Sequence, residues 1–287
     1  MINNFSKKIV VGTAQFSKSY GIINSKTLSP KNLLKISKKN HLNIFDTSDN
    51  YSKNFYFVEK YYKTSKLIVK LSTHKKRKLI PLILFKKKIS EIIKRISINK
   101  IHSFLIHDFD LMLIKKNYFH YEYLMSYCLN NNINFGFSIY NLKDFYKIKK
   151  NYKFNILQIP ISIFNREFLD NNFKKFVKKN KIEIHARSVF LQGLLVNDFE
   201  SIPNKFKKYK KYFMHWERYC QKNNFSKVQA CLNFVDNISF VKKIVIGFKS
   251  KKELEEIINF KRKKIKRFFL LPKIPKILIN PNLWKNL

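Results

Sequence analysis

Short runs of apolar and β-branched residues alternate along the chain with longer stretches whose apolar positions recur every three or four residues. The short runs predict eight strands, at residues 9–13, 43–46, 67–70, 103–106, 134–138, 156–159, 183–187 and 244–246. The longer stretches predict helices. Ser29-Pro30 reads as an N-cap followed by proline at the first helical position, opening a helix over residues 31–40. In residues 85–98 the apolar positions 85, 89, 92, 93 and 96 share one helical face. Residues 119–129, 142–149, 172–179 and 251–258 read the same way, and Ser250-Lys-Lys-Glu253 has the spacing of a capping box.

Eight strand–helix alternations predict an α/β protein, a single (β/α)8 TIM barrel with its active site at the C-terminal ends of the strands. The rival, an open doubly wound sheet, would carry a GxGxxG or P-loop turn after its first strand, and the chain has neither. Residues 201–243 form the longest connection and predict an extra helix before the last strand. One domain is expected over 1–287, with a core over about 9–258 and an irregular tail at 268–287 that holds three of the seven prolines.

Composition adds little to the fold but narrows the partners. The chain has 287 residues, 45% of them hydrophobic, enough for a large core. No apolar run is long enough to span a membrane, and the N-terminus lacks the apolar segment of a secretory leader. Cys128, Cys220 and Cys231 show neither CxxC nor metal-ligand spacing and read as buried thiols of a cytoplasmic protein. The formal net charge of +41 would alone suggest a nucleic acid or anionic surface. Yet only seven of the 59 basic residues are Arg, Ala occurs three times, and Phe, Tyr, Ile, Asn and Lys crowd the chain. That is the residue set of A/T-rich codons. Base readers favour Arg, and the lysines are dispersed, so no specific nucleic-acid partner is expected. Composition also works against glycine, yet Gly12, Gly21, Gly136, Gly193 and Gly247 remain on or just after proposed strands. Ordinary turns and close approach of a ligand both account for them.

Four residues at strand ends carry candidate chemistry. Asp46, Lys70 and His107 end the second, third and fourth strands, and Tyr51 lies in the loop beyond Asp46. In a parallel barrel these ends converge on one mouth. A lysine ending an apolar strand is costly unless paired, and Asp46 is its natural partner. Reducing a carbonyl by hydride transfer leaves an alkoxide that must gain a proton. A phenol is too weak an acid unless a nearby ammonium favours its ionised form. The carboxylate keeps that ammonium charged, and a neutral imidazole can donate to the substrate oxygen. Each residue alone reads more simply as a turn, packing or surface residue. Their joint placement is what favours chemistry.

The stretches Val11-Gly-Thr-Ala-Gln-Phe16 with Tyr20-Gly-Ile22, Phe45-Asp-Thr47 with Tyr51, Val69-Lys-Leu71 and Leu105-Ile-His-Asp108 appear in that order. Gly136-Phe-Ser-Ile-Tyr-Asn141, Leu157-Gln-Ile-Pro160 with Asn165-Arg166, Ala186-Arg-Ser188 with Gln192-Gly-Leu-Leu195, and Ile246-Gly-Phe-Lys-Ser250 with Glu253-Leu254 follow. In this series the sequence resembles the aldo/keto reductase family. The resemblance implies the barrel, Asp46, Tyr51, Lys70 and His107 as catalytic tetrad, NADPH as cofactor and a small carbonyl compound as substrate. It implies that Ser138 and Gln158 hold the nicotinamide carboxamide. Arg187 through Leu195, with Gly193, would contact the pyrophosphate, and Gly247, Lys249 and Ser250 the adenosine phosphate end, with Gly12 in the same cofactor set. Ser250 as a helix cap and Lys249 as a charge suit an anion such as the 2′-phosphate of NADPH. The first motif resembles family members of sugar and surface-polysaccharide metabolism, which implies a sugar-derived carbonyl. Phe16, Tyr20, Phe109 and Phe164 are candidate pocket walls. Ile139, Ser48, Ser52 and Ser17 depart from the residues the family often has there. Two rival readings are a non-catalytic NADPH-binding regulatory protein on the same fold and a basic nucleic-acid-binding protein. Nothing in the sequence sets the oligomeric state.

Overall fold

Each apolar run becomes a strand. The protein, a computed structural model, is described over residues 5–16, 21–23, 27–51, 54–76, 78–114, 118–263 and 273–287. The barrel strands are β1 (Ile9–Gly12), β2 (Ile44–Ser48), β3 (Lys66–Leu71), β4 (Ile101–Ile106), β5 (Asn134–Ser138), β6 (Ile156–Pro160), β7 (Glu183–Arg187) and β8 (Val241–Ile246). All neighbours pair in parallel, and β1 meets β8 to close the cylinder. This is the (β/α)8 barrel the alternation predicts.

Side chains along a strand alternate between faces, and that period places the site. Val10, Ile44, Ile68, Leu105, Ile156 and Val245 form an apolar layer inside the barrel. Two residues further along each of those strands or its end come Gly12, Asp46, Lys70, His107, Gln158 and Gly247. The intervening residues, among them Val11, Phe45, Val69, Ile106 and Leu157, join the larger core beneath the helices. The register keeps the site level: Gly12 lies opposite Asp46, Ser48 opposite Lys70, and Ser138 opposite Gln158. Gly136 is obligatory for this closure, because a Cβ there would sit 1.8 Å from the Ile156 carbonyl oxygen on the adjoining strand.

The outer ring comprises α1 (Pro30–Lys39), α2 (Asn54–Tyr61), α3 (Leu82–Arg95), α4 (Phe119–Asn130), α5 (Leu142–Asn151), α6 (Asn171–Lys179), α7 (Lys210–Lys222), α8 (Lys227–Asp236) and α9 (Lys251–Ile258). Ser29 caps α1 by accepting from the Asn32 N–H. Leu33 and Leu34 of α1, Phe85, Ile89 and Ile92 of α3, and Phe173 and Val177 of α6 face inward. Lysines such as Lys31, Lys35, Lys38 and Lys39 stand exposed on the opposite faces. With so few alanines and glycines, rings fill the gaps between layers: Phe145 meets Phe173 and Phe176 at 4.9 and 5.3 Å.

Three sequence expectations need correction. The long connection before β8 holds two helices, α7 and α8, not one; Trp216 of α7 fixes it to the loop after β7 by donating to the Leu195 carbonyl at 2.9 Å. Helix α2 had no counterpart in the predicted pattern. The tail is more ordered than expected where it is described: residues 276–279 form a short helix, and Trp284 packs on Phe206 at 5.0 Å. Residues 268–272 of that tail lie outside the described residues. The three cysteines are buried, and burial pushes the Cys128 and Cys220 thiols up to about 12. No helix among the described residues is long and apolar enough to cross a membrane.

Candidate active site

The barrel mouth brings together the carboxylate, ammonium, phenol and imidazole that the sequence placed on separate segments. The Lys70 ammonium donates to Asp46 Oδ1, with 6% and 4% of the two side chains exposed. Burial works against the Lys70 charge, but Asp46 and Tyr51 outweigh it, and the ammonium is held above its ordinary range. The second carboxylate oxygen is also used: Gln158 Nε2 donates to Asp46 Oδ2 at 2.7 Å, and Ser138 Oγ donates to Gln158 Oε1 at 3.1 Å. Ser138 and Gln158 therefore brace the ion pair as well as line the cavity. The sequence could not show that link, which spans 112 residues.

Tyr51 closes a short 3-10 turn, Asp49–Tyr51, directly after β2. The turn is pinned by Asp49, whose Oδ2 accepts from the Ser72 N–H at 3.0 Å and from Lys88 Nζ at 2.7 Å. The Lys70 ammonium lies 5.5 Å from the Tyr51 ring centroid. His107 hangs from β3 through its own N–H, which donates to the Leu71 carbonyl at 3.0 Å. Its Nε2 stands 3.5 Å from the Tyr140 hydroxyl. Burial, followed by the positive charges of Lys70 and Arg187, pushes the imidazole down to about 3. It is therefore neutral at physiological pH, and a neutral imidazole still carries one ring N–H with which to donate.

That depression has a consequence for stability. An unfolded histidine titrates near 6.5, so between that value and about 3 the unfolded chain holds a proton that folded His107 refuses. Stability attributable to His107 is complete above about 6.5 and declines as the pH falls, by up to about 1.4 kcal/mol per pH unit. The protein is expected to lose stability on acidification from pH 7 to 5, and His107→Gln to lose less. Urea unfolding midpoints of the two proteins at both pH values check this; parallel losses would mean that His107 plays no part.

One cavity of about 630 Å³ opens over these groups and is lined by Asp46, Tyr51, Lys70 and His107. Gly12, Ser138, Gln158, Arg187, Gly193, Gly247 and Lys249 line it too. Ser250 does not; its hydroxyl accepts from the Glu253 N–H at 3.2 Å and caps α9. Arg187 lies across the Tyr140 ring at 4.5 Å and donates to the Ile139 carbonyl at 2.9 Å. The departure at Ile139 thus contributes a backbone carbonyl, and Ser48 also lines the cavity. Leu191, Gln192 and Gly193 run in succession through positive φ, which only the glycine adopts without strain. The sequence reading missed Gln15, Tyr140, Asn197, Glu253 and Glu256 as cavity residues. Tyr140 could have been found, since it continues the alternation two residues past Ser138.

A second cleft of about 480 Å³ shares Asn50, His107 and Tyr140 with the first. It is polar: Ser72, His74, Lys75, Lys76, Asp108, Asp110 and Asp144 line it, with Phe109 as its apolar wall. Asp108 accepts from the Thr73 N–H at 2.7 Å, and burial raises its carboxyl despite those bonds. Of the candidate pocket walls, Phe109 lines this second cleft, while Phe164 packs against Phe213 and Trp216. Phe16 is buried away from both clefts. Tyr20, Ser17 and Ser52 lie outside the described residues.

This geometry can be set beside known proteins. The glycerol dehydrogenase of Gluconobacter oxydans superposes with a TM-score of 0.67 at 15% identity, over 90% of this chain and 88% of that one. An aldo-keto reductase from Bacillus halodurans in its holo form gives 0.64 at 14% identity, over 88% and 85%. A thermostable aldo-keto reductase in complex with the inhibitor epalrestat gives 0.62 at 16% identity, over 91% of each chain. At these identities the likeness speaks for the fold. No curated protein matches the sequence. The profile of the aldo/keto reductase family matches residues 8–267, from the residue before β1 to beyond α9, and with it all four groups at the barrel mouth. The chain belongs to the aldo/keto reductase family of oxidoreductases.

Proposed function

We propose that the protein reduces an aldehyde or ketone at the expense of a reduced nicotinamide dinucleotide, with Tyr51 as proton donor. The observation that carries this reading is the buried Asp46–Lys70 pair beneath the Tyr51 ring, with a neutral His107 in the same cavity. The residues present suit a dinucleotide. Gln15 Oε1 and Arg187 Nε, in side chains that line the cavity, are buried with no hydrogen-bond partner among the described residues. A Cβ on Gly247 would lie 2.7 Å from that Gln15 oxygen, so the backbone there stays bare. Ser138 and Gln158 would hold the nicotinamide carboxamide, Arg187 and Gly193 the pyrophosphate, and Gly12, Gly247 and Lys249 the remainder, whereas Ser250 caps α9 outside the cavity lining.

The bound cofactor supplies the hydride. The chain supplies the rest. His107 orients the carbonyl oxygen through its N–H, and Tyr51 gives that oxygen its hydroxyl proton. Lys70 stabilises the phenolate left behind, and Asp46 keeps Lys70 charged and in place. The polar second cleft beside His107 supports a hydroxyl-bearing, sugar-derived carbonyl over an aromatic aldehyde. Lys249 is the sequence's reason to favour NADPH, but its ammonium donates to the Ile23 carbonyl at 2.9 Å, so the choice of dinucleotide turns on its surroundings. The test is loss of reduced-nicotinamide absorbance with a panel of aldoses, ketoses and simple aldehydes. Saturable dinucleotide binding without turnover of any carbonyl would instead favour a regulatory, non-catalytic protein.

A further inference from the structure

The lining of the cavity includes a charged wall that carries Lys249, Glu253 and Glu256. The resemblance to the family points to this wall as the seat of the adenosine phosphate. Its charges do not suit one. The Lys249 N–H donates to Glu253 Oε2 at 2.6 Å, the Lys249 ammonium is turned to the Ile23 carbonyl, and the Ser250 hydroxyl accepts from the Glu253 N–H. The Lys249 N–H, the Lys249 ammonium and the Ser250 hydroxyl thus already have partners within the chain, and one partner is itself an anion. Glu256 adds a second carboxylate to the wall, accepting from Ser226 Oγ at 2.7 Å. Lys251, the next cation along, is paired with Glu255 at 3.2 Å.

From this arrangement we infer that Glu253, seconded by Glu256, selects against a 2′-phosphate, so that the protein binds NADH more tightly than NADPH. A doubly charged phosphate would have to displace the Glu253 carboxylate from the Lys249 N–H and then lie beside both acids. A ribose diol makes no such demand, because its hydroxyls can donate to those carboxylates. The same contrast distinguishes NAD from NADP sites on unrelated folds, where an acid takes the 2′-hydroxyl or an arginine takes the 2′-phosphate. The inference rests on the nicotinamide reading above and names the determinant of specificity within it.

Isothermal titration of the whole protein with NADH, NADPH, 5′-AMP and 2′,5′-ADP measures the preference without turnover. NADH is expected to bind about tenfold or more tightly than NADPH, and 5′-AMP to outcompete 2′,5′-ADP. In Glu253→Gln the amide oxygen can still accept from the Lys249 N–H, so the start of α9 is preserved while the charge is gone. This variant is expected to narrow or invert the ratio by a similar factor. Glu256→Gln, outside the cap, should move it in the same direction by less. Tighter binding of NADPH to the unaltered protein, or a ratio untouched by either variant, would overturn the assignment of Glu253 while leaving the reductase reading intact. Failure of both dinucleotides to bind would remove the two together.

Discussion

Replacing Tyr51 with Phe is expected to lower kcat by about 10²- to 10⁴-fold, the contribution of a positioned acid, while dinucleotide affinity stays as it was. The expectation follows from how little else the change would disturb. The turn that carries Tyr51 is fixed by its neighbours: the Asn50 N–H donates to Ser48 Oγ at 3.2 Å, and Asp49 is held by Ser72 and Lys88. The phenyl ring would still lie over the Lys70 ammonium, where the tyrosine ring lies 5.5 Å from it. Only the hydroxyl proton is lost. Steady-state rates with the best carbonyl of the panel, together with the dissociation constant of the reduced cofactor, separate the two effects. A Tyr51→Phe protein that turns over at the original rate would require another proton source.

The second large effect concerns stability. Asp46→Leu is expected to cost about 3–5 kcal/mol, because it leaves the Lys70 charge buried without its counter-ion. It also leaves Gln158 Nε2 without the oxygen it now meets at 2.7 Å. Replacing both members, Asp46→Leu with Lys70→Met, should recover most of that loss, since a buried ion pair exchanged for well-fitting apolar side chains is often close to neutral. Neither protein should turn over substrate. Urea unfolding of the two variants decides the matter. If the double variant is as unstable as the single one, the damage comes from packing and not from the orphaned charge.

Most of the barrel could be read from the chain because both of its periods are local. Seven of the eight strands carry β-branched residues and β5 carries two phenylalanines, and the stepping by two that puts Ile68 in the interior puts Lys70 at the mouth. Helix α2 escaped because residues 54–61 read Asn-Phe-Tyr-Phe-Val-Glu-Lys-Tyr, with apolar residues too dense for a 3.6-residue period to show. The four candidate residues were legible, three at strand ends and Tyr51 in the loop after the second. Their support was not: Gln158 of β6 reaches Asp46 of β2 across the barrel interior, from a strand that is not its neighbour, and only the closed cylinder brings the two together. Glu253 shows a different limit. A capping box looks the same in sequence whether or not its carboxylate also lines a cavity, as that of Glu253 does.

The lysines that crown the outer faces of the helices greatly outnumber the acids available to them, 59 basic against 18 acidic residues over the whole chain. Such a coat repels itself, so moderate neutral salt should raise the melting temperature of this protein, where a surface held by ion pairs would be weakened. The same coat draws in any negatively charged nucleotide from solution, and its reach shrinks with the Debye length, about 10 Å at 0.1 M salt. Ionic strength should therefore slow nucleotide capture more than it alters the cofactor preference proposed for Glu253 and Glu256, which would act at short range.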